Sequence, residues 1–138
     1  ILNFVIGISG APETTIPGII YQGRIFDERL LAAAYSAADA LVIPSREDNL
    51  PNTMLESLMC GTPVIAFPVG GMPDCIIDGF NGILTREVSS KSLVESIEIF
   101  IWNINRFNPS EIRAKAIGIF SQEVQALAYI SLYQEIIN

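Results

Sequence analysis

The sequence of 138 residues contains no histidine. Zinc sites built on histidine and catalytic triads of the Ser-His type are therefore excluded, unless a segment outside the chain supplies that residue. Cations are also scarce, with 8 Lys and Arg against 15 Asp and Glu, and they form no run. The resulting formal charge of -7 argues against a nucleic-acid partner, whose phosphates need clustered cations, and weakens a role on anionic lipid.

Cysteine is rare too, because Cys60 and Cys75 are the only two. They do not suggest a secreted disulfide framework, and Cys60 ends an apolar helical pattern, where a small buried hydrophobe is the simplest interpretation. The sequence shows neither a signal peptide nor an apolar run long enough for a bilayer. We therefore expect a cytoplasmic protein, peripheral to the inner membrane at most. The start at Ile1 rather than Met suggests a piece of a longer chain.

Apolar patterning predicts one α/β domain over residues 1–138, since half of the residues are apolar and can build a core. Short apolar runs predict strands over residues 2–8, 19–23, 40–43, 64–67 and 83–84. Helical signals alternate with them. Asp27 is a candidate N-cap, Gly61 a helix-ending glycine, and Asn108 a cap followed by Pro109. Two later helices are expected to bury apolar faces, one with Leu93, Ile97, Phe100 and Ile101, the last with Val124, Leu127, Ile130, Leu132, Tyr133 and Ile136.

Strands that alternate with helices imply a parallel sheet covered on its faces. In such folds ligands bind beyond the carboxyl ends of the strands. The loops over residues 9–15, 23–27, 44–52 and 67–72 follow predicted strands. We expect the last three of these loops to share one rim and to carry the chemistry.

Two carboxylates, Asp48 and Glu56, lie eight residues apart around the predicted start of a helix. Glu56 matches a capping box with Thr53, and it could equally accept hydrogen bonds from a vicinal diol such as ribose. Asp48 could close an Asx turn with its own backbone, or hold a neutral, hydroxyl-rich group through charge-assisted bonds.

Backbone amides at the same helix start offer a phosphate site. The N–H groups of Asn52 and Thr53 belong to the first helical turn, where anions bind well. Gly70 and Gly71 would permit close approach of a ligand, although an ordinary turn explains them as well. No glycine pattern matches G-x-G-x-x-G or a Walker loop, so a nicotinamide dehydrogenase or P-loop ATPase is unsupported.

The order of these motifs resembles the group 1, family 4 glycosyltransferases. The resemblance covers essentially the whole chain and is carried by residues 21–25 (Tyr-Gln-Gly-Arg-Ile), 35–39 (Tyr-Ser-Ala-Ala-Asp), 44–45 (Pro-Ser), 48–56, 61–64 (Gly-Thr-Pro-Val), 70–74 (Gly-Gly-Met-Pro-Asp) and 79–82 (Gly-Phe-Asn-Gly). It implies the C-terminal, nucleotide-sugar-binding domain of a GT-B enzyme. The implied fold is a three-layer, Rossmann-like parallel sheet with C-terminal helices.

The resemblance also implies roles for single residues. Asp48, where the family usually has Glu, would hold donor-sugar hydroxyls, and Glu56 would hold the ribose hydroxyls. These two are the candidate catalytic residues. The implied donor-binding set is Ile25, Leu30, Asp48, Asn49, Leu50, Asn52, Thr53 and Glu56, with Ile25 and Leu30 at the base and the two amides at the distal phosphate.

By the same resemblance the parent protein is a retaining hexosyltransferase. It moves a sugar from a nucleotide sugar to a glycan or a lipid-linked acceptor, without a metal or a cofactor. The acceptor-binding N-terminal domain, and a first strand and helix that supply Arg and Lys to the diphosphate, should precede Ile1. The chain alone should then be inactive. Two alternatives stay open, which are a non-catalytic nucleotide-sugar-binding or scaffold module and a GT-B sugar epimerase.

Overall fold

A computed structural model describes residues 3–6 and 16–137, and strands and helices alternate over residues 19–102 as the sequence predicts. The predicted loop over residues 9–15 lies outside the described residues. The elements in chain order are β1 (Asn3–Ile6), β2 (Ile19–Gly23), α1 (Glu28–Ala37), β3 (Leu41–Ile43), α2 (Asn52–Met59), β4 (Val64–Ala66), α3 (Met72–Cys75), β5 (Gly82–Leu84), α4 (Ser90–Trp102), α5 (Pro109–Phe120) and α6 (Gln122–Ile137).

Local side-chain chemistry sets several helix ends. The Asp27 carboxylate accepts hydrogen bonds from the amides of Arg29 and Leu30, at 2.8 and 3.2 Å, and so caps α1. The Asn108 side chain caps α5 in the same manner, with proline at the first helical position. Helix α2 ends at Met59, and Gly61, whose φ of 86° suits glycine, follows the C-cap residue Cys60. The amide of Thr62 closes the turn on the Ser57 carbonyl at 2.9 Å.

The described strands form two parallel sheets rather than the single sheet that the sequence predicts. Strand β1 pairs with β2, and β4 lies between β3 and β5. The register of the larger sheet places Leu41 opposite Val64, and Val64 opposite Gly82. All strand pairs within the described residues are parallel, so the carboxyl ends of β3, β4 and β5 meet at one edge.

The core surrounds β4. Val64, Ile65 and Ala66 point alternately to opposite faces of the sheet, and all three are at most 1% exposed. Both faces are therefore covered, which gives the three-layer arrangement expected from the sequence. Helices α2 and α4 both contact β4, and α5 packs on α2. The covering side chains include Met54, Leu58, Phe100, Phe107 and Ile112.

The last helix departs from expectation. None of the residues of α6 is buried, and its predicted apolar stripe is exposed, with Leu127 at 66% and Ile136 at 70%. The prediction that this stripe is buried is wrong for the described residues, and Tyr129 and Tyr133 stack on each other. Helix α6 follows α5 and contacts it. Ile101 of α4 is likewise 51% exposed.

No helix in residues 3–6 and 16–137 combines the length and apolar character that a membrane crossing requires.

Candidate functional site

The loops that follow β3 and β4 touch at the carboxyl edge of the sheet. We call residues 44–51, between β3 and α2, the acidic loop, and residues 67–71, between β4 and α3, the glycine loop. The amide of Gly71 donates a hydrogen bond of 2.6 Å to the carbonyl oxygen of Asn49. The rim predicted from the alternation of strands and helices is thus present for these two loops.

Gly70 explains how closely the two loops approach. Its φ is +55°, and a Cβ at this position would lie 2.6 Å from the Asn49 carbonyl oxygen and closer still to that of Asp48. Glycine is required here on both counts, because a side chain would be strained and would overlap backbone atoms. The close approach of a ligand to this glycine pair stays a prediction, and within the described residues it is the acidic loop that lies against Gly70.

The capping-box interpretation of Glu56 is wrong. Pro51 is the N-cap residue of α2 and makes no side-chain capping bond, which places Thr53 inside the helix. One carboxylate oxygen of Glu56 instead accepts a hydrogen bond of 3.1 Å from the hydroxyl of Tyr35 on α1. Glu56 is exposed, so the rest of its carboxylate faces solvent and can accept further hydrogen bonds.

Tyr35 is the site residue that sequence reasoning missed. It lies 21 residues before Glu56, and no spacing rule connects the two. One feature of the sequence could have indicated it: Tyr35 is the one aromatic residue of an alanine-rich helix. The hydroxyl of a buried tyrosine usually needs a hydrogen-bond partner, so a polar contact could have been expected there. Burial raises the pKa of Tyr35, and the adjacent Glu56 carboxylate raises it further. The phenol therefore stays protonated at neutral pH and acts as a donor.

Asp48 is half-buried in the acidic loop, and its carboxylate makes no hydrogen bond with the described residues. The Asx turn that was its alternative explanation is therefore absent, since that turn needs a bond to neighbouring backbone. The carboxylate is available to an external hydroxyl group. Asn49 contributes its carbonyl to the contact between the loops, and Leu50 is 43% exposed beside Gly71.

The first turn of α2 has free amides. The N–H groups of Asn52 and Thr53 have no intrahelical partner by the geometry of a helix start, and no side chain of residues 16–137 caps the helix. Both residues are exposed. The helix N-terminus, with its partial positive charge, is thus exposed to solvent about one turn from Glu56.

The two proposed base-pocket residues lie after β2, Ile25 on the connection to α1 and Leu30 within α1. Ile25 is half-buried, and Leu30 in the first turn of α1 is 62% exposed. On the same connection, the guanidinium of Arg24 lies 5.0 Å from the centre of the Phe26 ring. Helix α1, which follows this connection, packs on α2. The expected place of the connection at the same rim as the acidic loop stays a prediction.

Two concave surfaces within the described residues lie elsewhere and contain none of the candidate residues. A groove of about 570 Å³ runs between β5 and α4, past Arg86, Ser96, Trp102 and Arg106. A smaller cavity of about 250 Å³ lies at the opposite edge of the sheet, beside Cys60. Among the residues that the structure describes, no three acidic or cysteine side chains gather into a group that could hold a metal ion.

Comparison with known proteins gives a family match. The family model described as glycosyl transferases group 1 matches residues 8–103. Among curated relatives, a glycogen synthase of Thermodesulfovibrio yellowstonii is 31% identical over 128 residues, which is 91% of this chain and 26% of that protein.

Solved structures agree on the fold. The sucrose-phosphate synthase of Thermosynechococcus elongatus matches with a TM-score of 0.76 at 30% identity, over 87% of this chain and 30% of the other. The HepE protein of Anabaena in complex with UDP and glucose matches with a TM-score of 0.66 at 25% identity, over 83% and 32%. The chain thus spans about a quarter to a third of these proteins.

Proposed function

Because the chain belongs to the group 1 glycosyl transferases and has the fold of the GT-B enzymes, we propose that it is the donor-binding half of a retaining glycosyltransferase. The enzyme transfers a sugar from a nucleotide sugar to a glycan or lipid-linked acceptor. The observation that carries this proposal is the junction of the acidic loop with α2, where two carboxylates with free acceptor capacity flank the open amides of a helix start.

The ribose is assigned to Glu56. A vicinal diol offers two O–H donors at a fixed separation, and a carboxylate has about four acceptor positions of matching geometry. The Tyr35 hydroxyl uses one position on one oxygen. Enough capacity remains for both ribose hydroxyls, and bonds to an ionised acceptor are the stronger class.

The distal phosphate is assigned to the amides of Asn52 and Thr53. Backbone N–H groups and the helix dipole together favour an anion at this position. Asp48, which precedes the helix in the acidic loop, then faces the group attached to that phosphate, and its open carboxylate suits sugar hydroxyls. Ile25 and Leu30 are assigned to the base, where Leu30 offers an exposed apolar side chain.

Catalysis in this scheme depends on positioning and on stabilisation of the departing nucleoside diphosphate. The carboxylates of this chain orient the donor and do not abstract a proton. The UDP and glucose in the HepE complex support a nucleotide-sugar donor here.

The rest of the enzyme is assigned to protein outside this chain. The doubly wound strand order places the first strand of such a domain between its second and fourth strands. A sheet lacking that strand divides into parts of two and three strands, and the described strands are divided in this way. This division supports the expectation that a further strand belongs between β1 and β3. The cations for the diphosphate remain an implication of the family resemblance. The chain by itself should then bind a donor weakly and transfer no sugar.

The test is calorimetric titration of the chain with UDP, ADP, GDP and their glucose derivatives. Glu56→Ala should weaken nucleoside diphosphate binding at least about 30-fold, the equivalent of about 2 kcal/mol of charge-assisted hydrogen bonding. Asp48→Ala should keep nucleoside diphosphate binding and lose the preference among nucleotide sugars. Glu98→Ala removes an equal charge from an exposed position on α4 and serves as the matched control.

Two results would contradict the proposal. Equal binding by Glu56→Ala and the wild type would remove the ribose assignment. Robust sugar transfer by the chain alone would show that the missing cations and the acceptor domain are not needed.

A further inference from the structure

Tyr35 and Glu56 belong to a closed set of hydrogen bonds that has no assigned role. Tyr35 lies on α1 and is 4% exposed, and its hydroxyl reaches across to Glu56 on α2. It is the one fully buried residue of α1. The helix is thus anchored beside α2 by the same side chain that contacts the proposed ribose carboxylate.

The backbone carbonyl of Tyr35 also takes part in hydrogen bonding, with the segment that follows α2. The hydroxyl of Thr62 donates a bond of 2.6 Å to the Tyr35 carbonyl oxygen. The hydroxyl of Ser57 donates a bond of 3.0 Å to the Thr62 carbonyl oxygen, and the Thr62 amide returns to Ser57 at 2.9 Å. Ser57 follows Glu56 in the chain, so the bonds close a circuit through the helix end. We call Tyr35, Ser57 and Thr62 the brace.

The brace is rigid because it is buried. Ser57 and Thr62 are 0 and 3% exposed, and hydrogen bonds are stronger in such low-dielectric surroundings than in water. Glu56, at the end of the circuit, is exposed. A glutamate in that setting samples several rotamers unless one contact fixes it, and the Tyr35 hydroxyl is the contact that the structure provides.

We propose that Tyr35 is a positioning residue, which the brace holds in place so that Glu56 presents a preset carboxylate to the two ribose hydroxyls of a nucleoside diphosphate. This inference rests on the proposed function of Glu56. Presetting the rotamer removes part of the ordering cost of binding, because the side chain is fixed before the ligand arrives. The effect is confined to ligands with a ribose diol.

The experiment compares two forms of one ligand. The tightest binder among UDP, ADP and GDP is titrated into the wild-type chain and into Tyr35→Phe, and its 2′,3′-dideoxy counterpart is titrated in parallel. We expect Tyr35→Phe to weaken the ribonucleotide about tenfold, as for one hydrogen bond to a charged group, and to leave the dideoxy ligand within about twofold. In a Glu56→Ala background, the Tyr35 change should have no effect on either ligand.

Controls separate positioning from damage to the fold. Tyr133→Phe removes a hydroxyl from a tyrosine that is 59% exposed and should bind both ligands as the wild type does. Urea unfolding of every variant reports stability. If Tyr35→Phe fails to fold, Thr62→Val loosens the brace from the backbone side and should reduce the ribonucleotide preference, whereas Thr62→Ser should retain it.

The outcomes also separate this inference from the proposed function. An unchanged ribonucleotide affinity in Tyr35→Phe, with loss in Glu56→Ala, would overturn the positioning role and leave the function intact. Equal weakening of both ligands would show a purely structural role and overturn it too. Wild-type affinity in Glu56→Ala would refute the ribose assignment and this inference together. If Thr62→Val decides the matter, an unchanged preference there overturns the inference.

Discussion

Substitution of Gly70 by alanine should uncouple the two loops of the candidate site. A Cβ at this position would overlap the Asp48 carbonyl and lie 2.6 Å from that of Asn49. Neither obstacle is a flexible side-chain tip, so the backbone of one loop has to move. The Gly71–Asn49 hydrogen bond then stretches, because it joins the same two segments.

The expected loss in free energy of unfolding for Gly70→Ala has two parts. Alanine in the left-handed region, at a φ of +55°, costs about 1–2 kcal/mol. Overlap with backbone adds about 1–3 kcal/mol, the usual cost of forcing extra volume into a packed position. We therefore expect Gly70→Ala to lower the free energy of unfolding by about 2–5 kcal/mol.

Gly79→Ala is the matched control. Gly79 has a φ of +73°, and a Cβ there would meet nothing within 4 Å, so this variant carries the conformational strain alone. The two variants should differ by the overlap part. Urea unfolding followed by circular dichroism gives the midpoint and slope for each, and stability can be compared directly if the slopes agree. Equal midpoints for the two variants would refute the reasoning.

Three further predictions follow from the caps, the last helix and the phenol. Asn108→Ala should cost about 1 kcal/mol in urea unfolding, because the side chain caps two first-turn amides of α5. Leu127→Gln together with Ile136→Gln should change stability by less than about 0.5 kcal/mol, since both residues are exposed, while Ile112→Ala in the core should cost about 2–5 kcal/mol. Because the pKa of Tyr35 is raised in the folded state, its hydroxyl stabilises the fold fully below a pH of about 10, and this contribution declines above that pH. The difference in free energy of unfolding between the wild type and Tyr35→Phe should therefore narrow above that pH by up to about 1.4 kcal/mol per pH unit. A constant gap up to pH 11 would contradict that pKa direction.

The parts of the structure that the sequence predicts correctly depend on short-range chemistry. Asp27 and Asn108 cap helices through amides two or three residues ahead, and Gly61 ends α2 through a local turn. Each of these contacts lies within one window of the sequence. The strand positions are also predictable from local sequence, because runs such as residues 64–66 are apolar on both faces.

The features that were missed join distant segments. Whether Glu56 bonds to Thr53 or to Tyr35 depends on where α1 packs, and no local pattern states that. The role of Gly70 depends in the same way on the position of the acidic loop. Helix α6 is a different case. Its apolar residues recur with a helical period and so predict a buried face, yet the described residues contain no surface that covers them.

The negative charge of the proposed site suits the hydroxyl groups of a donor better than its diphosphate. Asp48 and Glu56 suit hydroxyl groups, whereas a nucleoside diphosphate is itself anionic, and the formal charge of the chain is -7. Partial charges at one helix start supply about 0.3–1 kcal/mol each in exposed settings, which is too little to offset that repulsion and stabilise a leaving diphosphate. Under the proposed function, the described residues would therefore bind the hydroxyl groups of a donor, and cations outside this chain would stabilise the leaving diphosphate. The acidic loop and the brace would then govern which donor binds more than how fast it reacts.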